Sequence, residues 1–439
     1  MNNKPDNPIC LYIEPYVHVN IKRNGILLYN TLTGEHTVSA NGDGSEIARL
    51  LKRMTAKKNL NAVIVKASIL SGKGLGSFLR KARSQQMINW YGYSKADEKQ
   101  RKPVSIPAIL NLHRDRKIMT LDPERNPGED IKNYLHKITV HVNCYQGAAF
   151  HGGEFTEAYK QFPYPYALNK YNELKVSRIK RFLDQVKDLR SFSLSVLGGN
   201  ILKHKQFEQL AAFLGELRVK KELGLFYRDI TAGGLETING NIAGEKTIRV
   251  FVPSKFGKET FLQCMDTVRR SGLTADYQFT VQDEADMEQL DEILPMLGGA
   301  HLFVKPFYSG QNLTFFKKLV FIRKGDLSDP VVSKKDIYAR SVMNTNSFGT
   351  LTILSSGDVY ADLYGKRAGT IDGEVHGILL DVMSRGDGWF RVRKNLVPCK
   401  SCIYNHVCPP VSNYEYALSR NNLCNIYKGP AATGDGNGG

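Results

Sequence analysis

Alternating apolar and polar positions organise the start of the chain. Tyr16–Lys22 and Ile26–Asn30 read as two strands around Arg23-Asn24-Gly25, an Asn-Gly hairpin signal. Thr33-Gly34 gives a second turn, and His36–Ser39 a short third strand. In Ser45–Met54 the pattern changes period: Ile47, Leu50 and Leu51 fall on one helical face. Asn61–Val65 is strand-like, and Gly74–Trp90 reads as a basic amphipathic helix. Residues 1–100 are therefore expected to form a small α+β unit.

Glu98–Pro107 is charged and Pro-containing, a linker signal. Strands and helices then alternate to about residue 330. The expected strands are Lys137–Val142, Ser191–Val196, Leu223–Arg228, Thr247–Val252, Tyr277–Val281 and His301–Pro306. Between them, Lys175–Lys187, Gln206–Leu217, Lys258–Ser271 and Asp286–Met296 have helical spacing. Repeated β–α alternation predicts a parallel sheet with helical crossovers, an open or closed α/β barrel, with ligands at the carboxyl ends of its strands. From residue 340 the character changes. Leu351–Leu354 and Val359–Tyr360 flank a Ser355-Ser356-Gly357-Asp358 turn, and Ile378–Arg385 predicts a short helix. The Gly-rich end, 429–439, is expected to be disordered.

Composition narrows the function classes. At 439 residues the chain is too long for one core. No run of about 18 apolar residues predicts a transmembrane helix. The start has no basic stretch followed by an apolar one, so no signal peptide is read. The net charge of +17 invites nucleic acid as a partner, but the basic residues are scattered in short pairs such as Lys57–Lys58 and Lys334–Lys335. A solvated basic surface is the simpler reading, and neither nucleic acid nor membrane is expected.

Four of the seven cysteines fall within 26 residues, as C-x2-C-x5-C at Cys399, Cys402 and Cys408, then Cys424. Thiolates are soft ligands, and four of them suit zinc or an iron–sulfur cluster; disulfides are the alternative. With no secretory signal, a metal site in a reducing cytoplasm is favoured over disulfides. Spacing does not separate zinc from [4Fe–4S]. A complete four-thiolate site leaves no open position and points to a structural role.

The three-strand meander followed by helices resembles the PqqD-like, winged-helix peptide-recognition domain of peptide natural-product pathways. That resemblance implies that a leader peptide adds a strand beside the third strand. The first barrel strand ends in Cys144, Ala148, Phe150 and His151, and the second in Gly198, Gly199, Asn200 and Ile201. These stretches resemble the C-x3-C-x2-C and GGEP loops of radical SAM enzymes, with only the first cysteine and the two glycines kept. The C-terminal part resembles the SPASM domain, which carries two auxiliary [4Fe–4S] clusters. Asp362 and Ser412 stand where the first cluster's cysteines belong, whereas Cys399, Cys402, Cys408 and Cys424 match the second cluster's set. One site is lost whole and one is kept whole.

The chain thus resembles a pseudo-radical-SAM protein with a SPASM-like end, of the type found beside peptide-maturation systems of Bacteroidales with Gly-Gly precursors. The resemblance implies an α/β fold: a degenerate radical-SAM-like partial (β/α) barrel at 101–335, a winged-helix-like α+β domain at 1–100 and a SPASM-like cysteine domain at 336–428. It implies one [4Fe–4S] cluster, with zinc as the alternative, and no S-adenosylmethionine at the degenerate site of Cys144, His151, Gly198 and Gly199. The implied function is a non-catalytic scaffold that binds a precursor peptide, an active radical SAM enzyme, or both. An iron–sulfur enzyme with altered chemistry is the alternative.

Overall fold

Short apolar stretches near the start pair up locally, and a computed structural model shows how. It describes residues 7–40, 42–93, 129–146, 157–165, 167–168, 170–189, 192–386 and 388–426. The linker at 98–107, the tail at 429–439, and Ala148 and His151 lie outside them. Strands β1 (Pro8–Ile13), β2 (Val17–Lys22), β3 (Gly25–Asn30) and β4 (His36–Ser39) precede α1 (Glu46–Thr55), β5 (Ala62–Lys66), α2 (Leu75–Ser84) and β6 (Ile88–Gly92). They form two antiparallel sheets, β5-β1-β6 and β2-β3-β4. Ser45 caps α1 by accepting a bond from the Ala48 N–H, an interaction worth roughly 1 kcal/mol. Ile47, Leu50, Leu51 and Met54 then face a shared core with Leu11, Ile26, Leu28, Leu79 and Ile88.

Two expectations need correction here. The helix expected over Gly74–Trp90 stops at Ser84, and Ile88–Gly92 is a strand. Gln86 takes φ 57, which reverses the chain after the helix and delivers β6 to β1. Strand β1 was not expected at all. It is the central strand of its sheet, buried on both faces, so it shows no alternation to read.

The large sheet is built next. Its strands are β7 (Lys137–His141), then, after the short pair β8 (Tyr145–Gln146) and β9 (Ala167–Leu168), β10 (Ser193–Leu197), β11 (Lys220–Phe226), β12 (Lys246–Val252), β13 (Ala275–Val281), β14 (His301–Pro306), β15 (Thr350–Ile353), β16 (Asp358–Tyr360) and β17 (Gly369–Thr370). The helices are α3 (Ala158–Gln161), α4 (Val176–Asp184), α5 (Phe207–Glu216), α6 (Ala232–Asn241), α7 (Lys258–Ser271), α8 (Glu284–Ile293), α9 (Leu313–Val320), α10 (Lys334–Val342), α11 (Val375–Arg385) and α12 (Asn413–Ala417). The order across the sheet is β14-β13-β12-β11-β10-β7-β15-β16-β17. From β14 to β15 neighbouring strands run parallel. The molecule is therefore a mixed α/β protein with a large parallel sheet. Hydrogen bonds of this sheet cross residue 336, because β15 pairs with β7 from Thr350↔Lys137 to Ile353↔Val140.

One face of the parallel strands packs on the helices, and the other looks into a concave interior. That interior carries an ion network toward the amino ends of the strands. Arg249 pairs with Glu222, and with Asp276 at 3.3 Å; Lys137 lies 4.0 Å from Glu222, and Ser195 Oγ donates to Glu222 at 3.1 Å. Nearer the carboxyl ends, the chain fills the interior with itself. Tyr164 is fully buried between Phe226 and Phe251, with ring centroids 5.6 and 5.5 Å away. Gln278 Nε2 donates to the Pro163 carbonyl at 2.9 Å and anchors the same segment.

The N-terminal meander is docked on the C-terminal cysteine segment. Leu27 and Tyr29 of β3 share a core with Ile322, Leu327, Ile337, Tyr404, Val407 and Cys408. The Val332 N–H donates to the Tyr29 hydroxyl at 2.9 Å, and Asn20 Nδ2 donates to the Ile403 carbonyl at 2.7 Å. No helix among the described residues is long and apolar enough to cross a membrane.

Candidate functional site

The cysteine segment is a run of tight turns, which is what C-x2-C spacing demands. Cys399 opens a 3-10 turn, and the Cys402 N–H closes on the Cys399 carbonyl at 2.9 Å. Cys424 arrives from elsewhere: Ile322 N donates to the Leu423 carbonyl and Asn425 N to the Ile322 carbonyl, each at 3.0 Å. Backbone N–H groups point at two of the sulfurs, Tyr404 N at Cys402 Sγ (3.4 Å) and Ile426 N at Cys424 Sγ (3.1 Å). Such donors favour a thiolate over a thiol. Burial pushes the Cys399, Cys402 and Cys408 thiols up, and the Arg393 guanidinium pulls each of them back down. Each of the three also lies within electrostatic reach of Cys424. No described cysteine is in a disulfide. As placed, the sulfurs are gathered but not closed: among the described residues no three His, Cys, Asp or Glu side chains converge tightly enough to hold an ion.

Arg393 is the residue that the sequence reading missed. Its side chain is 5% exposed and that of its partner Glu415 is 0% exposed, with Nη2 to Oε1 at 2.7 Å. Arg393 Nη2 also donates to the Pro410 carbonyl at 3.2 Å, and Nη1 stands 3.9 Å from Cys399 Sγ. Glu415 Oε2 accepts from the Ser412 N–H at 2.9 Å in a capping box that starts α12. The S-x-x-E spacing from Ser412 to Glu415 was the available signal.

The loops at β7 and β10 meet through backbone. Cys144 is buried; its Sγ accepts from Asn172 N at 3.2 Å and donates to the Asn172 carbonyl at 3.6 Å. A Cβ on Gly198 would lie 2.3 Å from Asn143 Oδ1, and one on Gly199 would lie 2.7 Å from Tyr145 N and 2.8 Å from the Cys144 carbonyl carbon. The two glycines thus bring the second loop into contact with the first, and Gly199 N donates to the Asn143 carbonyl at 3.1 Å. Asn200 caps the turn that follows, accepting from Leu202 N at 3.0 Å. The structure brings Cys144, Gly198 and Gly199 together; His151 lies outside the described residues.

A cavity of about 410 Å³ lies on the β7–β15 side of the interior. Lys137, Thr139 and His141 of β7 line it with Thr350 and Thr352 of β15 and Lys305 of β14. Gln161–Pro163 forms another wall, and Ala361–Leu363 with Val411–Tyr414 the remainder. Asp362 and Ser412, far apart in sequence, therefore share one chamber. Burial pushes His141 down to about 3, so its imidazole is neutral. Asp362 is held by the Tyr364 N–H at 2.9 Å and by the Tyr416 hydroxyl.

No protein-family profile matches the chain, and no curated protein matches it. Among solved structures it is similar to SuiB of Streptococcus suis, at 13% identity over 94% of this chain and 98% of that one, with a TM-score of 0.43. SuiB bound to its precursor peptide SuiA gives 12% identity over 94% and 98%, with a TM-score of 0.42. BtrN in complex with AdoMet and 2-DOIA gives 13% identity over 61% of this chain and 92% of that one, with a TM-score of 0.34.

Proposed function

We propose that the chain is a peptide-binding scaffold in the maturation of a ribosomally made peptide. The observation that carries this is the outer edge of β4. Among the described residues β4 pairs only with β3, so its other side presents strand hydrogen-bonding groups to a newcomer. Helix α2 lies against β4, and the Thr37 hydroxyl reaches Gln85 just beyond that helix. A strand edge beside a helix suits a leader segment that adds in an extended form: backbone bonds supply affinity and side-chain pockets supply selectivity. On this reading residues 1–100 are a winged-helix-like recognition domain, and the C-terminal segment is SPASM-like.

The same segment is proposed to hold one metal centre through Cys399, Cys402, Cys408 and Cys424. The all-sulfur donor set, the N–H groups aimed at Cys402 and Cys424 and the Arg393 charge suit a [4Fe–4S] cluster or zinc. When bound, the centre would supply folding free energy, on the order of 10 kcal/mol for four thiolates, rather than reactivity. At Cys144 the donor set does not suit a second cluster. Its thiol is spent on the Asn172 backbone, and Ala148 follows where a second sulfur would be needed. Tyr164 in the interior is a further support for a non-catalytic role.

Fluorescence anisotropy with a labelled precursor leader tests the scaffold. Saturable binding that Val38→Lys on β4 weakens is expected, because the lysine places a solvated charge on the docking edge. Absence of binding to any leader or partner enzyme of the same maturation system would sink it. Metal and sulfide analysis of anaerobically purified protein tests the centre. One cluster's worth of iron and sulfide, or one zinc, is expected, and either is lost on Cys408→Ser.

A further inference from the structure

The cavity beside β7 and β15 has a charge that the fold leaves unanswered. Lys137, Glu222, Arg249 and Asp276 form a linked set of two cations and two anions. Lys305 stands outside it. Among the described residues no carboxylate lies within 4.0 Å of its ammonium, and its nearest aromatic partner is the Phe303 ring at 6.0 Å. Burial and the neighbouring Arg249 both hold its pKa below the usual lysine value. A half-buried ammonium in that position is destabilised until an anion shares the space.

The rest of the chamber says what kind of anion. Thr139 and Thr352 present side chains toward the same space from the two adjoining strands, offering hydroxyl donors. Tyr414 adds a hydroxyl that is buried and has no hydrogen-bond partner among the described residues. Phe162 and the Tyr159 ring supply apolar wall. Asp362 adds a carboxylate to the lining, which disfavours a ligand carrying two negative charges. At about 410 Å³ the chamber falls in the range of small-molecule sites, about 300–1,000 Å³.

We propose that this cavity is a binding site for a small monocarboxylate with an apolar or aromatic body, its carboxylate on Lys305 and its body against Phe162 and Tyr159. The site shares Val411–Tyr414 with the cysteine segment but uses neither its sulfurs nor the β4 edge. It also gives Asp362 and Ser412 a shared place on the wall of a ligand chamber.

The test is calorimetric titration and thermal shift of the full chain with phenylacetate as the probe, and with phenylacetamide as its neutral counterpart. Phenylacetate is expected to bind saturably and raise the melting temperature, and phenylacetamide to bind at least about tenfold more weakly, the loss expected when a charged hydrogen-bond partner is removed. Lys305→Met keeps the side-chain length and removes the charge, so it should fold at least as well and lose the phenylacetate response. Inorganic phosphate should compete poorly. Equal binding of acid and amide, an undiminished response in the Lys305→Met protein, or no phenylacetate response in the wild type each overturns the assignment.

Discussion

Arg393 shows how much one buried charge can govern. Its guanidinium is satisfied by Glu415 and by the Pro409 and Pro410 carbonyls, all within the segment that holds the cysteines. Replacing it with methionine leaves Glu415 buried with its Ser412 bonds but without its ion-pair partner, which costs about 3–5 kcal/mol. Urea denaturation of Arg393→Met should show a loss of that size, and pairing it with Glu415→Leu should recover a large part. A cost below about 1 kcal/mol would mean that the pair is hydrated. His141 makes a different residue-scale prediction. It stays neutral in the folded chain down to about pH 3, whereas an unfolded histidine takes up a proton near pH 6.5. Between those values the unfolded chain binds more protons, so stability falls with falling pH, by about 1.4 kcal/mol per pH unit for this group. His141→Gln should flatten the wild-type decline between pH 6.5 and 4; parallel declines in the two proteins would show that other groups cause it.

At the scale of elements, Gly199 separates packing from ligand binding. A methyl there meets the Tyr145 N and the Cys144 carbonyl carbon, both backbone atoms that cannot move aside cheaply. Gly199→Ala is therefore expected to cost about 1–3 kcal/mol in a protein given no cofactor, read by the shift of the denaturation midpoint. An unchanged midpoint would return the glycine to a ligand-binding role. The same elements show what a sequence can disclose. The strands of the large sheet were legible because β–α alternation repeats with short connections; His301–Pro306 and Lys258–Ser271 were read to the residue. Helix α6 was not, because Gly233, Gly234 and Gly240 argue against a helix, and it forms because Leu235 and Ile238 are buried in the main core. Pairing of β15 with β7 joins residues more than two hundred positions apart, and no local pattern encodes it. Of the candidate sites, the cysteine spacing was plain in the sequence, whereas Arg393, Lys305 and Tyr164 acquire meaning only from what surrounds them.

At the scale of the molecule, the cysteine segment is a joint. Cys408 belongs to the same core as Leu27 and Tyr29 of β3, and Asn20 of β2 reaches Ile403 and Asn405 between Cys402 and Cys408. Whatever closes the cysteine segment therefore also holds the N-terminal meander against the rest of the chain. Local stability is read by hydrogen exchange, and it follows the elements that share a core. Strand β12 lies in the middle of the large sheet and touches none of this joint. Cys408→Ser should therefore speed amide exchange across β3 several-fold and leave β12 unchanged. Equal acceleration in both strands would mean that the chain unfolds as one unit, and no acceleration in β3 would mean that the apolar contacts of Leu27 and Tyr29 hold the meander without help from the cysteines. Faster exchange in β3 alone has a functional corollary. If the proposed metal centre sets how firmly β3 is held, it also sets how rigid the neighbouring edge of β4 is when a leader peptide arrives. Loss of the centre should then weaken leader binding without any contact between the two.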